Sequence, residues 1–426
     1  MSGATQRSAI VGARQNRYTR ADCNSEVLLT GTSWIEVDLA RLEQNVRTIR
    51  ALLARTAETP GVIRRRTGPA LIAAATKADA YGIGAGPVMR RLAHCVDFLA
   101  IYSPEQALEA AAYAPSTPII MLMPPASIPL FELVPLAREN RLHLSIHDRS
   151  DIPVLIRFAR DAGIKLPVHL YLDSGMSRAG LDAVRFPSIL DEALAATDLT
   201  VAGVYTHLAT AESDGGFMRE QIDLFDRTVE PCLDRLPPDV VIHIANSSGT
   251  LRDPSSHRDM VRIGLILWGF GAESLADAEP LIRPGEIKPV LRWRSTIAHV
   301  RDYPEGALVG YGSTARLSRR SRLALVPVGY GDGYPLLLSN RGHVTFPGRA
   351  AATGARVIGR VNMDQIVVDV TDHPAVGAGD LVEIYGADLD APSSLPTLAA
   401  QAESHCYELL CRLSPRIERR YITFEP

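Results

Sequence analysis

Eight short apolar runs separated by stretches of helical periodicity constrain this chain more than any other feature. The runs are 70–77, 97–102, 118–123, 142–147, 167–173, 201–209, 240–247 and 260–269. Each is short, apolar and bounded by turn-forming residues, the pattern of a strand buried on both faces. Between them, segments such as 103–113, 150–162 and 217–236 repeat apolar residues at helical spacing. Ser103-Pro104-Glu105-Gln106 begins one of these like a helix start, a capping residue followed by proline. Strands that alternate with helices run parallel, because each helix returns the chain to the same end of the sheet. An open doubly wound sheet is the alternative. Eight repeats over about 200 residues fit an α/β fold of the (β/α)8 TIM-barrel type better.

After residue 280 the pattern changes. Segments 290–300, 322–328, 343–347, 355–361, 365–371 and 380–385 are short and separated by Gly, Pro and Asp, which predicts a mainly β second domain. Segment 396–413 returns to helical character. At 426 residues the chain is too long for one ordinary domain. The expected division is a flexible N-terminal tail over 1–31, a barrel over 32–280 and a β-rich domain over 281–426. A composition of 46% hydrophobic and 22% charged residues with net charge -3 is that of a globular protein and implies no nucleic-acid partner. No run is long and uncharged enough for a membrane span. Cys23, Cys95, Cys232, Cys406 and Cys411 are scattered without metal-ligand spacing, so no metal is expected and reduced thiols in a cytoplasmic protein are. Residues 1–30 carry Arg7, Arg14, Arg17 and Arg20 but no apolar core of a secretory signal. The basic stretch Arg64-Arg65-Arg66 falls in a loop before the first barrel strand, where a solvated loop is the simpler reading and an anion site the bolder one.

Barrel enzymes assemble their sites from the C-terminal ends of the strands. Lys77 closes the 70–77 run and is followed by Ala78-Asp79-Ala80-Tyr81-Gly82-Ile83-Gly84-Ala85-Gly86. An ammonium held there loses solvation, which lowers its pKa and frees the amine as nucleophile or base. A lysine that merely snorkels from a strand end is the plain alternative. Asp173-Ser174-Gly175-Met176-Ser177-Arg178, His207, Asn246-Ser247 and Arg262-Ile263-Gly264 also fall in or at the ends of runs. Each has a structural explanation taken singly: a satisfied histidine, a helix cap, an arginine paired to a carboxylate. Their convergence on one barrel face favours chemistry.

These segments resemble those of the alanine racemases, enzymes of fold-type III that use pyridoxal 5'-phosphate (PLP). The resemblance is carried by Ala75-Thr76-Lys77-Ala78-Asp79-Ala80-Tyr81-Gly82, Asp173–Arg178, Thr206-His207-Leu208-Ala209-Thr210-Ala211, Ala245-Asn246-Ser247 and Val261-Arg262-Ile263-Gly264. It continues through Gly310-Tyr311-Gly312, Pro327-Val328-Gly329-Tyr330-Gly331-Asp332-Gly333 and Val361-Asn362-Met363-Asp364-Gln365. It spans about residues 32–426. It implies a PLP-binding barrel, a β-rich C-terminal domain that takes in the first strand, 34–39, and a head-to-tail homodimer acting on a small amino acid.

By this resemblance Lys77 carries PLP covalently and is the base on one face of the substrate, while Tyr311, from the other subunit, is the base on the opposite face. Racemisation requires two proton carriers flanking one carbon. A packing aromatic in a glycine-rich turn is the alternative for Tyr311. His207 and Arg262 would link the phenol towards the cofactor, with Arg262 facing the pyridine nitrogen. Asn246 belongs to the same cofactor-binding set. Tyr81, Ser247 and the backbone N–H groups of Gly264 and Leu265 would hold the phosphate. Arg178 and the backbone at Met363 would hold the substrate carboxylate, an ion pair with Asp173 being the alternative for Arg178. Asp364 would support the site from the partner. The implied activity is interconversion of L- and D-alanine, supplying D-alanine for peptidoglycan. A serine or broader-specificity racemase is the near alternative; a fold-type III decarboxylase or a non-catalytic PLP-binding protein lies further off. Arg262 and the absence of a Gly-Gly-Gly segment speak against the decarboxylase.

Two positions depart from the family pattern. Tyr171 stands where many members carry a lysine, often carbamylated, that steadies the substrate-binding arginine. Near the C-terminus, Tyr407-Glu408-Leu409-Leu410-Cys411 is followed by Arg412-Leu413-Ser414-Pro415, with no tyrosine where one is expected to touch the phosphate and narrow the entrance.

Overall fold

The structure is a computed structural model that describes residues 32–125, 131–272, 275, 278–283, 285–348 and 354–424. The tail expected over 1–31 lies outside the described residues. After β1 (Ser33–Val37) come eight parallel strands: β2 (Leu71–Ala75), β3 (Phe98–Ile101), β4 (Ile119–Met121), β5 (Leu142–Ile146), β6 (Leu166–Tyr171), β7 (Leu199–Tyr205), β8 (Val241–His243) and β9 (Met260–Ile263). Their order, β8-β7-β6-β5-β4-β3-β2-β9, follows the chain except that β9 returns to β2. The ring closes where Asp259 N–H donates to Ile242 O and Arg262 N–H to Ala245 O, both at 2.9 Å. The eight apolar runs are these eight strands, and the barrel expectation is borne out. β6 is buried along its whole length, because its inner face fills the barrel and its outer face lies under helices.

The helix Leu39–Arg55 starts where Asp38 accepts from the N–H groups of Ala40 (2.8 Å) and Arg41 (3.0 Å). It buries Leu42, Val46, Ile49, Leu52 and Leu53 on one stripe. Each such side chain contributes roughly 1.5–3 kcal/mol of burial. The second carboxylate oxygen of Asp38 accepts from Phe424 N–H at 2.7 Å, tying this corner to the chain's far end.

The C-terminal part contains β10 (Leu291–Thr296), β11 (His299–Tyr303), β12 (Leu308–Val309), β13 (Ala315–Arg316), β14 (Ser321–Val326), β15 (His343–Val344), β16 (Ala355–Arg356), β17 (Ile366–Asp369), β18 (Leu381–Tyr385) and β19 (Glu418–Tyr421). β1 leaves the barrel to pair antiparallel with β10 and parallel with β19, in a sheet ordered β18-β10-β1-β19. The 290–300 run is two strands of different sheets. Ile297 N–H donates to Asp380 O while the next N–H, Ala298, donates to Leu325 O, so the chain changes sheets there. The 396–413 run likewise splits into helices Leu395–Gln401 and Cys406–Cys411 at Glu403, whose φ is 53°. His405 caps the second helix by accepting from Glu408 N–H. The 217–236 run is a helix Gly215–Val229 that tightens into a 3-10 turn at Glu230-Pro231, since proline lacks the N–H the helix needs.

Candidate active site

Lys77 follows β2 at the C-terminal mouth of the barrel. The next four residues, Ala78, Asp79, Ala80 and Tyr81, have φ of 54°, 55°, 51° and 61°, a turn of left-handed helix. Such backbone costs roughly 1–2 kcal/mol per non-glycine residue, so the surroundings must over-determine it. They do. Asp79 accepts from Ala85 N–H at 2.7 Å, Arg419 donates to Gly82 O at 2.8 Å, and Tyr421 donates to Ile83 O at 3.1 Å. The clamp comes largely from β19, so the C-terminal part shapes a turn that belongs to the barrel. Lys77 stays partly open to solvent, yet burial, then the nearby Arg178, pushes its ammonium below the ordinary lysine pKa.

The left-handed turn delivers Tyr81 inward, where it packs at 5.7 Å from the Trp268 ring and 5.8 Å from the Tyr407 ring. Gly264 is glycine for close approach: a Cβ there would lie 2.3 Å from the Tyr81 hydroxyl oxygen. Gly264 N–H donates to Ser247 Oγ at 2.9 Å. Ser247 opens the helix Ser247–Arg252, capped by Asn246, whose Oδ1 accepts from Gly249 N–H at 2.9 Å and whose Nδ2 donates to Leu208 O at 3.1 Å. Asn246 therefore positions Ser247. Leu265 begins a 3-10 turn, where the first N–H groups find no carbonyl within the turn.

Arg262 is the hub, 6 % exposed. Its Nη1 donates to His243 Nδ1 (2.8 Å) and His243 O (2.9 Å). Its Nη2 donates to Thr206 O (2.6 Å) and His207 Nδ1 (3.3 Å). The guanidinium carbon lies 5.1 Å from the Tyr205 ring centroid. Among the described residues no carboxylate pairs with it, and Nε makes no hydrogen bond. Burial lowers its pKa to about 10, so it remains a cation and a pure donor near neutrality. A donor-only partner fixes the His207 tautomer: Nδ1 accepts, and the proton of the neutral ring is on Nε2. Burial, Arg262 and Arg178 drive the His207 pKa down to about 3, so the ring is neutral.

Asp173 accepts from the N–H groups of Gly175, Met176 and Ser177, folding its loop rather than pairing with Arg178. Tyr171, 3 % exposed, lies edge-on to His147 at 5.3 Å and stacks on Tyr205 at 4.7 Å. Its hydroxyl has no hydrogen bond of good geometry among the described residues, although the Arg178 guanidinium stands beside it. The sequence departure at position 171 is thus a neutral phenol next to Arg178.

Tyr311 and Met363 lie elsewhere. They line a surface concavity with Tyr330, Leu336 and residues 360–365, all from the C-terminal part. Tyr311 is 73 % and Met363 55 % exposed. The 362–363 carbonyls accept from Tyr330 N–H (3.0 Å) and Gly331 N–H (2.8 Å), and Arg416 bridges Asp364 and Asp332 at 2.9 and 2.7 Å. Among the described residues no hydrogen bond or ring contact joins this group to the barrel mouth.

Tyr407 is the residue that sequence reasoning missed. It packs on Tyr81 and its hydroxyl approaches Ser247. The departure noted after Cys411 stands, since Arg412-Leu413-Ser414-Pro415 holds no tyrosine. Cys411 likewise lies close enough to Lys77 to influence it. The Arg64–Arg66 loop is partly pinned: the N–H groups of Arg65 and Arg66 donate to Asp259.

The chain is similar to known proteins along nearly its whole described length. Residues 37–271 match the family model "Alanine racemase, N-terminal domain", and residues 290–421 match "Alanine racemase, C-terminal domain". The alanine racemase of Halothermothrix orenii is 32% identical over 401 residues, covering 92% of this chain and 97% of that protein. That of Syntrophobacter fumaroxidans is 33% identical over 383 residues, covering 89% and 95%. Among solved structures, alanine racemase from D-cycloserine-producing Streptomyces lavendulae superposes with a TM-score of 0.79 at 30% identity, covering 92% of this chain and 98% of that one. The Bartonella henselae enzyme with covalently bound pyridoxal phosphate gives 0.77 at 25% identity, covering 92% and 100%. With both family models matched in order and relatives aligned over nearly their full length, the chain belongs to the alanine racemase family.

Proposed function

We propose that this protein is a PLP-dependent alanine racemase that interconverts L- and D-alanine with two bases, Lys77 and Tyr311 of the partner subunit, and so supplies D-alanine for peptidoglycan. The observation that carries the reading is Arg262: a buried, carboxylate-free guanidinium whose Nη atoms are engaged and whose Nε is left to donate. The residues fit the cofactor. A lone acceptor such as a pyridine nitrogen suits Nε, and the Ser247, Tyr81 and Tyr407 hydroxyls with the Gly264 and Leu265 N–H groups suit a phosphate dianion. Lys77 would hold the aldehyde carbon. When bound, PLP supplies a conjugated electron-withdrawing ring that makes the substrate Cα–H acidic.

The chain's own groups do the rest. The depressed pKa of Lys77 leaves more of its Nζ as free amine at neutral pH than an exposed lysine would have, ready to take or return the Cα proton. The hydroxyl of Tyr311 of the partner subunit would give its own proton to the opposite face of Cα and be left as phenolate, while Lys77 keeps the proton it took; in the reverse direction the roles exchange. The His207 Nε2–H, left over by the Arg262 contact, is a donor suited to a phenolate oxygen. Arg262 would donate to the ring nitrogen without giving up its own proton, so the ring would withdraw less charge than one held by a carboxylic acid partner. That setting would favour return of a proton to Cα over transamination. Arg178 attracts the substrate carboxylate, and Tyr171 beside it takes the place of the family's lysine.

A homodimer follows from the same reading. Tyr311, Tyr330, Leu336 and Met363, all exposed, stand together around the concavity rather than scattered singly over the surface. Covering it with a second copy would bring Tyr311 to a barrel mouth. No helix among the described residues is long and apolar enough to cross a membrane, and a cytoplasmic enzyme is the reading proposed. The direct test is chiral analysis of L-alanine incubated with PLP-loaded protein. D-alanine at a rate far above free PLP is expected. Yellow protein that yields none overturns alanine as substrate and moves the search to serine.

A further inference from the structure

The barrel interior holds a feature that the proton-transfer scheme leaves unused. Beyond Arg262, three histidines from three strands make a continuous hydrogen-bonded line. His243 Nε2 meets His169 Nδ1 at 2.9 Å, and His169 Nε2 meets His143 Nδ1 at 2.9 Å. His243 and His169 are both 0 % exposed; His143 is half-buried at the N-terminal end of β5. The line crosses the barrel from β9 and β8 past β7 to β6 and β5. Room for it is built in: Gly203 lies on β7, and a Cβ there would fall 2.1 Å from His169 Nδ1. Tyr205 stacks flat on His243 at 4.9 Å and Phe98 meets His143 edge-on at 5.3 Å.

The direction of every bond in the line follows from its first member. Arg262 Nη1 can only donate, so His243 Nδ1 accepts and a neutral His243 carries its proton on Nε2. That proton is donated to His169 Nδ1, which places the His169 proton on Nε2, and that in turn is donated to His143 Nδ1. All three rings are held as the Nε2–H tautomer. An added proton on any of them removes an acceptor and breaks the line. Burial keeps all three neutral: His143 is brought down to about 4, and His169 and His243 are driven well below the ordinary histidine value, with Arg262 adding to the shift of those two.

We propose that His169 and His143 are positioning residues for the racemase, acting through His243 to hold the Arg262 guanidinium plane and to accept from it where a carboxylate would otherwise stand. This deepens the proposed function and rests on it. A hydrogen-bonded chain strengthens each successive acceptor, so His243 grips Nη1 more firmly with His169 behind it than alone. A neutral acceptor line leaves Arg262 a full cation, which a carboxylate partner would screen.

Ring-15N histidine labelling of the holoenzyme tests the line directly. At neutral pH, two-bond 1H–15N correlations are expected to show the Nε2–H tautomer at His143, His169 and His243; an Nδ1–H or mixed tautomer at any of them overturns the line. The functional arm measures transamination per racemisation turnover of L-alanine. His169→Leu, which can neither accept nor donate, is expected to raise that partition about tenfold, in the range that supporting-residue substitutions produce. His169→Gln, which can do both, is expected to restore most of it. A merely structural role would lower kcat and leave the partition unchanged, and that result overturns the proposal. If His169→Leu does not fold, His143→Leu is read the same way, with a smaller rise expected and no rise decisive against. A wild-type protein that makes no D-alanine sinks the racemase reading and the positioning role with it. An active wild type with an unmoved partition sinks this inference alone.

Discussion

Replacing Gly264 by Ala adds one methyl group at the point where barrel and left-handed turn meet. Its φ of -132° lies outside the left-handed region that favours glycine, so the space around the new carbon is what counts. The cost is steric. The new carbon would lie 2.3 Å from the Tyr81 hydroxyl oxygen and 2.9 Å from its ring carbon. Unstrained contacts sit at roughly 3.5–4.0 Å, so something has to move. Tyr81 cannot yield easily: it is 6 % exposed, packed on Trp268 and Tyr407, and carried by backbone with φ of 61°. Overpacking of this kind costs about 1–3 kcal/mol. The loss is expected to appear as a lower urea midpoint with unchanged slope for the apoprotein. Displacing the Tyr81 hydroxyl also disturbs the phosphate end, so PLP affinity is expected to weaken about 10- to 100-fold, or about 1.4–2.8 kcal/mol. Removing the clashing oxygen in a Gly264→Ala/Tyr81→Phe double variant should recover part of the stability loss, giving a positive coupling in a double-mutant cycle. A single variant with wild-type midpoint and PLP affinity, or strict additivity in the cycle, refutes the close-approach argument.

Three further outcomes are expected. Tyr311→Phe should slow deuterium exchange at Cα from one alanine enantiomer far more than from the other; equal slowing would make Tyr311 structural. Arg262→Glu should raise the transamination side reaction, and an unchanged product ratio would defeat the pyridine argument. Apoprotein stability should fall as pH drops below about 6.5, because His143, His147 and His207 have folded pKa values of about 4, 4 and 3 against an unfolded value of 6.5. The unfolded chain binds these protons first, so stability is lost progressively from pH 6.5 down to the folded values. The loss reaches roughly 2 kcal/mol per histidine by pH 5. Urea titrations at pH 7 and pH 5 check it, and equal stability at both would contradict the burial of these rings.

The eight apolar runs, and with them the parallel barrel and the strand-end placement of Lys77, His207, Ser247 and Arg262, are local properties of the chain. Apolar patterning and turn chemistry act over a few residues, so they can be read without knowing what packs where. The strand breaks at Ile297–Ala298 and Glu403 were not legible, because a continuous apolar pattern does not reveal which sheet each N–H will find. Tyr407 was missed for the same reason: its part in the site comes from a contact across more than three hundred residues with Tyr81. The left-handed turn after Lys77 has no local signature either. Ala78, Ala80 and Tyr81 have no intrinsic preference for positive φ and Asp79 only a modest one, so the conformation depends on Arg419 and Tyr421 holding Gly82 and Ile83 from the far end of the chain. The protonation pattern is likewise tertiary. The sequence names the histidines, but their burial and the donor-only guanidinium beside them decide that His207 and His243 accept on Nδ1.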